Sequence, residues 1–138
     1  GIALACASEA PGLRVRTVEP EGFNDVARSL AAGRIVANDR AEGSICDAIL
    51  TPQPGDLTFP ILRKLAGPGI AVTDDEALRA MLVAFERLRI VLEPGGAVAL
   101  AAALFRSKDI AGDAVIVVAS GGNVDRAMFS TALSRDWI

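Results

Sequence analysis

The pattern of apolar and polar positions divides the chain into alternating helix-like and strand-like stretches. Residues 1–10 have helical composition and stop at Pro11-Gly12. Residues 14–19, RVRTVE, alternate at the period of a strand, and Pro20 closes them. Residues 24–32 read as a helix with Val26, Ala27 and Leu30 on one face and Gly33 as its C-cap. Between Arg34 and Gly55 the pattern is weak: a short apolar piece at 35–37, a polar loop, then SICDAIL and the breaker TPQPG. Thr58 can cap a short helix running to Ala66, with Pro60 tolerated in its first turn. Residues 69–73 read as a short strand. The clearest helix follows, capped by Thr73 or Asp74, with Leu78, Leu82, Phe85 and Leu88 at helical spacing. EPGG at 93–96 breaks that pattern, and 97–105 resumes as an almost uncharged helix.

Residues 114–119, AVIVVA, carry no charge and read as a strand buried on both faces. They run into Ser120-Gly121-Gly122-Asn123, and residues 124–134 make a last helix. The succession predicts an α/β fold: a mostly parallel open sheet with helices on both faces, organised around 114–119. A chain 51% hydrophobic, with mean hydropathy +0.40, strengthens that picture. So much apolar content predicts a sheet covered on both sides and some surface that expects a covering partner.

Charge and composition then narrow the function. A net charge of −3 with no basic block argues against nucleic acid as a partner. No apolar run is long enough to span a bilayer, and GIALACASEA lacks the basic and apolar regions of a signal peptide. With Cys6 and Cys46 far apart and His absent, a disulfide framework, a His-based zinc site and a His general base are all disfavoured. The default compartment is cytoplasmic.

Three places carry candidate chemistry. Ser120–Asn123 follows a strand, where open α/β sheets bind ligands, and its glycines permit close backbone approach. The alternative is a strand-to-helix turn with Ser and Asn as caps. Glu93 in EPGGA is a carboxylate beside glycines, or a solvated cap of the following helix. Glu19, Glu21 and Asp25 in VEPEGFND crowd a strand end; such a cluster can hold a hard cation, or form an acidic surface loop.

VEPEGF, SICDAIL, LTFPILR, FERLRIVLEPGGAVALAA and VIVVASGGNVD occur in an order that resembles the C-terminal half of threonine dehydratase (threonine ammonia-lyase) and serine racemase. These are pyridoxal-phosphate enzymes of fold type II, and the resemblance covers essentially the whole chain. It implies that Ser120 pairs with the pyridine nitrogen of pyridoxal 5'-phosphate, leaving the ring unprotonated and suited to β-elimination. It also implies that Gly121, Gly122 and Asn123 lie along the cofactor and that Glu93 sits near the ring. Ala48 falls beside the ring where many relatives carry Gly. Glu19 and Asp25, with the carbonyl of Phe23, match a site for a divalent cation such as Mg²⁺ or Ca²⁺.

The same resemblance assigns residues 1–138 to the C-terminal portion of the cofactor-binding large domain. The Schiff-base lysine, the Gly-rich phosphate loop and the small domain belong N-terminal of Gly1. Lys64 and Lys108 read as surface charges, so no catalytic residue is assigned and the chain alone is expected to be inactive. The implied parent is a homo-oligomer converting L-threonine or L-serine to a 2-oxo acid and ammonia, its partners being the amino-acid substrate and the missing N-terminal part. A serine racemase is the alternative within the family. Outside it, the alternative is a non-catalytic α/β module that binds a small anion or a partner at the SGGN turn.

Overall fold

The computed structural model describes residues 1–134. Six α-helices and two strands follow one another as α1 (Ile2–Glu9), β1 (Val18–Pro20), α2 (Asp25–Ala32), α3 (Phe59–Leu65), β2 (Ile70–Val72), α4 (Asp74–Val83), α5 (Pro94–Phe105) and α6 (Arg126–Ser134). The fold is α/β. Strands β1 and β2 pair in parallel, Val18 opposite Ile70 and Pro20 opposite Val72, and an isolated bridge joins Val15 to Ala66. Side chains alternate across a strand, so Val18, Ile70 and Val72 share one face and Glu19 takes the other. The first face packs into the core built by α4 and α5, while Glu19 meets the first turn of α2. Helices therefore cover both faces of the small sheet.

Local chemistry explains most boundaries. Helix α4 opens with a complete capping box: the Glu76 amide donates to Thr73 Oγ1 (3.1 Å), and the Thr73 amide donates to Glu76 Oε2 (2.8 Å). Arg106 Nη2 then pairs with the same Glu76 oxygen at 2.9 Å and ties the end of α5 to the start of α4. Helix α2 ends at Gly33 in the left-handed region, φ 68°, as the C-cap reading expects. The core is a seam of small residues, Ala77, Ala80 and Ala84 on α4 and its extension facing Ala97, Ala101 and Ala102 on α5, with Met81 and Val72 fully buried beside them. Small side chains let the two helices approach closely over their length.

Several expectations are corrected in whole or in part. Residues 114–119 form no strand. They have no ladder partner, and Val115, Ile116 and Val118 stand half to three-quarters exposed. A strand exists only through its neighbours, and the two-stranded sheet supplies none on that side. EPGG does not interrupt a helix. Glu93 is the N-cap of α5, Pro94 takes its first position, and Gly95 and Gly96 are buried in its first turn. Pro20 closes β1 as expected, but the paired strand begins only at Val18, with a single bridge at Val15 standing for the expected stretch from Arg14. In α2 the polar side is the buried one, with Asp25 and Ser29 inside. Ser29 Oγ accepts the Val36 amide at 2.9 Å, which satisfies the hydroxyl there.

Candidate active-site cleft

Helix α5 brings the first two candidate segments together. The Glu93 amide donates to the Gly121 carbonyl at 2.9 Å, fixing the N-terminus of α5 against the SGG turn. A side chain at Gly96 would strike the Gly121 backbone, and one at Gly121 would strike the Glu93 carboxylate. Gly96 therefore needs glycine because of close backbone approach, while at Gly121 a side chain would displace the Glu93 carboxylate. A Cβ on Gly122 would lie 2.9 Å from the Val91 carbonyl. Ala48 joins the same assembly: the space beside Gly95 is bounded by Ile49 at 3.4 Å and the Ala48 methyl at 3.7 Å. Ser120, Gly95, Val98, Ile49 and Thr51 line one continuous cleft of about 1020 Å³.

Helix α6 is capped by Asp125, whose Oδ1 accepts the Met128 amide at 2.9 Å, so neither Ser120 nor Asn123 performs that task. Glu93 occupies the N-cap position of α5 without a side-chain capping bond. Ser120 at the cleft and Glu93 against Gly121 thus have no structural duty of the kind expected of them. Asn123 is exposed and lies outside the cleft lining. Lys64 and Lys108 are exposed and line no part of the cleft.

The acidic segment is built differently. Glu19 Oε1 and Oε2 accept the Val26 and Ala27 amides at 2.9 and 2.8 Å, so the carboxylate caps the start of α2. Burial pushes its carboxyl up to about 7, with Asp25 nearby adding to the rise and the two amides opposing it. Asp25 is fully buried and accepts from Asn38 Nδ2 at 2.8 Å, with Thr51 Oγ1 at 3.4 Å. Asn38 also donates to the Thr51 carbonyl at 2.8 Å. Phe23 is buried beneath the Arg40 guanidinium, while Glu21 is exposed to solvent. Among the described residues no cluster of three or more acidic, Cys or His side chains forms a metal centre. Asn38 and Thr51 escaped the sequence reading because they lie in the weakly patterned stretch, where neither periodicity nor motif marks them.

Against known proteins, residues 1–121 match the family model described as pyridoxal-phosphate dependent enzyme. The chain belongs to that family. It is 35% identical over 134 residues to the L-threo-3-hydroxyaspartate ammonia-lyase of Saccharomyces cerevisiae, covering 97% of this chain and 41% of that protein. It is 38% identical to the serine racemase of Arabidopsis thaliana, covering 91% of this chain and 39% of that one. Among solved structures, a T.th. threonine deaminase superposes with a TM-score of 0.84 at 35% identity, over 90% of this chain and 45% of that chain. Maize serine racemase superposes with a TM-score of 0.82 at 34% identity, over 96% and 41%. The chain therefore spans about two-fifths of the relatives it matches, and its architecture is that of fold type II. No helix among the described residues is long and apolar enough to cross a membrane.

Proposed function

We propose that this chain forms one wall of the active site of a pyridoxal-phosphate-dependent ammonia-lyase that removes the β-hydroxyl of L-threonine or L-serine as water. The observation that carries the reading is the docking of Glu93–Gly96 on Ser120–Gly122, which holds the first turn of α5 against the segment whose Ser120 lines the cleft together with Gly95. The cleft beside Ser120 and Gly95, about 1020 Å³, has room for a flat ring. Pyridoxal phosphate, when bound, supplies the electron sink for the α-carbon. Within this chain, the Ser120 hydroxyl would meet the ring nitrogen as a neutral partner, Gly121 and Gly122 would admit the ring edge, and Ala48 would close one side. Glu93 would hold a carboxylate close to the ring. With both lysines outside the cleft, covalent attachment must come from outside these 138 residues, and we expect no turnover by the chain alone.

A hard divalent cation belongs to the same proposal. Glu19 and Asp25 are two buried carboxylates, and a cation held by them and the Phe23 carbonyl would offset both the burial and the smaller Asp25 repulsion that raise Glu19. Racemisation of serine is the second reading, favoured by the 37–38% identity to plant and Dictyostelium serine racemases. The deciding experiment supplies L-threonine and L-serine to the chain assembled with the lysine-bearing remainder of the enzyme and loaded with cofactor. Production of a 2-oxo acid with equimolar ammonia supports the lyase, whereas D-serine without ammonia transfers the assignment to the racemase. Ser120→Ala should abolish either activity while leaving the fold intact; full activity in that variant overturns the reading.

A further inference from the structure

The segment that brings Ala48, Ile49 and Thr51 to the cleft has little regular structure of its own. A single 3₁₀ turn, Asp47–Ile49, lies between irregular stretches. Its internal bonds, from the Ile49 amide to the Cys46 carbonyl (3.0 Å) and from the Leu50 amide to the Asp47 carbonyl (3.4 Å), do not fix where the turn sits. Side chains from elsewhere do. At the start, Asp74 in the first turn of α4 accepts from Ser44 Oγ at 2.6 Å and from the Ile45 amide at 3.2 Å, and Cys46 is fully buried. At the end stands Asn38. Its Nδ2 donates both to the Thr51 carbonyl and to Asp25 Oδ1 on α2, each at 2.8 Å. Its backbone amide donates to the Pro52 carbonyl at 2.7 Å, and its Oδ1 accepts from Arg28 Nη2.

We propose that Asn38 is a positioning residue for the cleft: by holding the end of the 46–51 segment on α2 it fixes Ile49 against Gly95 and Thr51 at the cleft wall. Asn38 lines no part of the cleft, so it acts through Thr51. The chemistry of its partners singles out a primary amide of this length. Two acceptors, the Asp25 carboxylate and the Thr51 carbonyl, need two donors on one atom, while the Arg28 guanidinium needs an acceptor on the other. Aspartate has the same shape but would turn an oxygen toward two oxygens. A hydrocarbon side chain would serve none of the three. The anchor is firm, because Asp25 is fully buried and Arg28 is tied a second time, to the Ala37 carbonyl at 3.1 Å. A wall with no ladder or long helix of its own depends on such supporting bonds, and a misplacement of about 1 Å in a site can cost roughly 100-fold. The inference deepens the proposed function, since it rests on that reading of the cleft as the cofactor site.

The test compares Asp25→Asn with Asp25→Asn/Asn38→Ala, so that losing the Asn38 donors strands no buried charge and the fold survives. Amide hydrogen exchange on the 138-residue chain is the first readout. The Ile49 and Leu50 amides should exchange about tenfold or more faster in the double variant, while those of Ala77 in α4 and Ala97 in α5 change by about threefold or less. Cofactor affinity is the second. With the lysine-bearing remainder supplied, a pyridoxal-phosphate titration read by absorbance should show binding weakened by about tenfold or more. Asn38→Asp in the same background should behave as the alanine variant does, although it keeps the shape. Unchanged exchange at Ile49 and Leu50 overturns the proposal. So does acceleration spread evenly through α4 and α5, which would make Asn38 a support of the whole fold, and so does a loosened wall with unaltered cofactor affinity. A wild-type assembly that binds the cofactor and turns over neither amino acid counts against the proposed function only.

Discussion

Two adjacent glycines in α5 should respond to the same substitution with opposite signs. At either position Ala in place of Gly favours the helix by about 1 kcal/mol. At Gly95 the new methyl meets Ile49 at 3.4 Å and Ala48 at 3.7 Å, ordinary contact distances, so the helical gain survives. At Gly96 it lands on the Gly121 backbone, with the amide nitrogen at 2.6 Å and the carbonyl carbon at 3.0 Å. Backbone cannot swing aside as a side chain does, so α5 and the SGG turn must separate and the Glu93–Gly121 hydrogen bond must stretch. Overpacking of this kind costs about 1–3 kcal/mol, and a weakened hydrogen bond adds about 1. Subtracting the helical gain leaves Gly96→Ala destabilised by about 1–3 kcal/mol. At about 4 °C per kcal/mol for a domain of this size, Tm falls by roughly 4–12 °C. Gly95→Ala should rise by up to about 4 °C. Thermal unfolding followed by circular dichroism, checked by urea midpoints, reads both. Equal shifts of the same sign would refute the close approach of α5 to the SGG turn.

Glu19 makes stability depend on pH. Its carboxyl is pushed up to about 7 by burial, against 4.5 for a free one, so the folded chain binds that proton more tightly than the unfolded chain. The resulting stabilisation is full below about pH 4.5 and is lost as pH rises through 7. In the presence of a chelator the loss between about pH 5 and 8 should not exceed about 3 kcal/mol. Glu19→Gln should flatten the slope, and an unchanged slope in urea titrations would sink the assignment. Mg²⁺ or Ca²⁺ should raise Tm by mass action, by about 2.7 kcal/mol at a hundredfold excess over Kd, and Asp25→Asn should remove the effect. A wild-type Tm indifferent to both ions would dispose of the cation proposal. Thr73→Ala should cost about 1 kcal/mol through loss of the cap on α4, seen as a lower urea midpoint with an unchanged slope.

What was legible in the sequence was local. The capping box at Thr73 and Glu76, the Gly33 terminator and the helical character of α4 depend on residues three or four apart, and all are present. The pairing of EPGG with SGGN was readable as a family pattern, and the structure shows its physical basis in the contact between Gly96 and Gly121. Residues 114–119 failed as a strand because a strand is a property of its neighbours, and hydrophobicity alone supplies none. The first turn of α5 was missed because glycine reads as a breaker; here its missing side chain outweighs its poor helix propensity. Asn38 and Thr51 lie 13 and 26 residues from Asp25, and no local pattern reports contacts that distant.

Beyond Val83, α4 widens into a single π turn over Ala84–Leu88, and Arg89 leaves it at φ 60°. A π turn accommodates one residue more than the α-helix it interrupts. That residue sets the phase of all that follows: Leu92 arrives in the core, and Glu93 arrives at the SGG turn. Removing any one residue from 84–88 would restore a plain helix and rotate its exit by about 100°. Such a deletion would be tolerable to the helix and ruinous to the cleft. Variation in the length of this segment is therefore constrained by the register of Glu93, and a chain shortened here could keep its fold while losing its active-site wall.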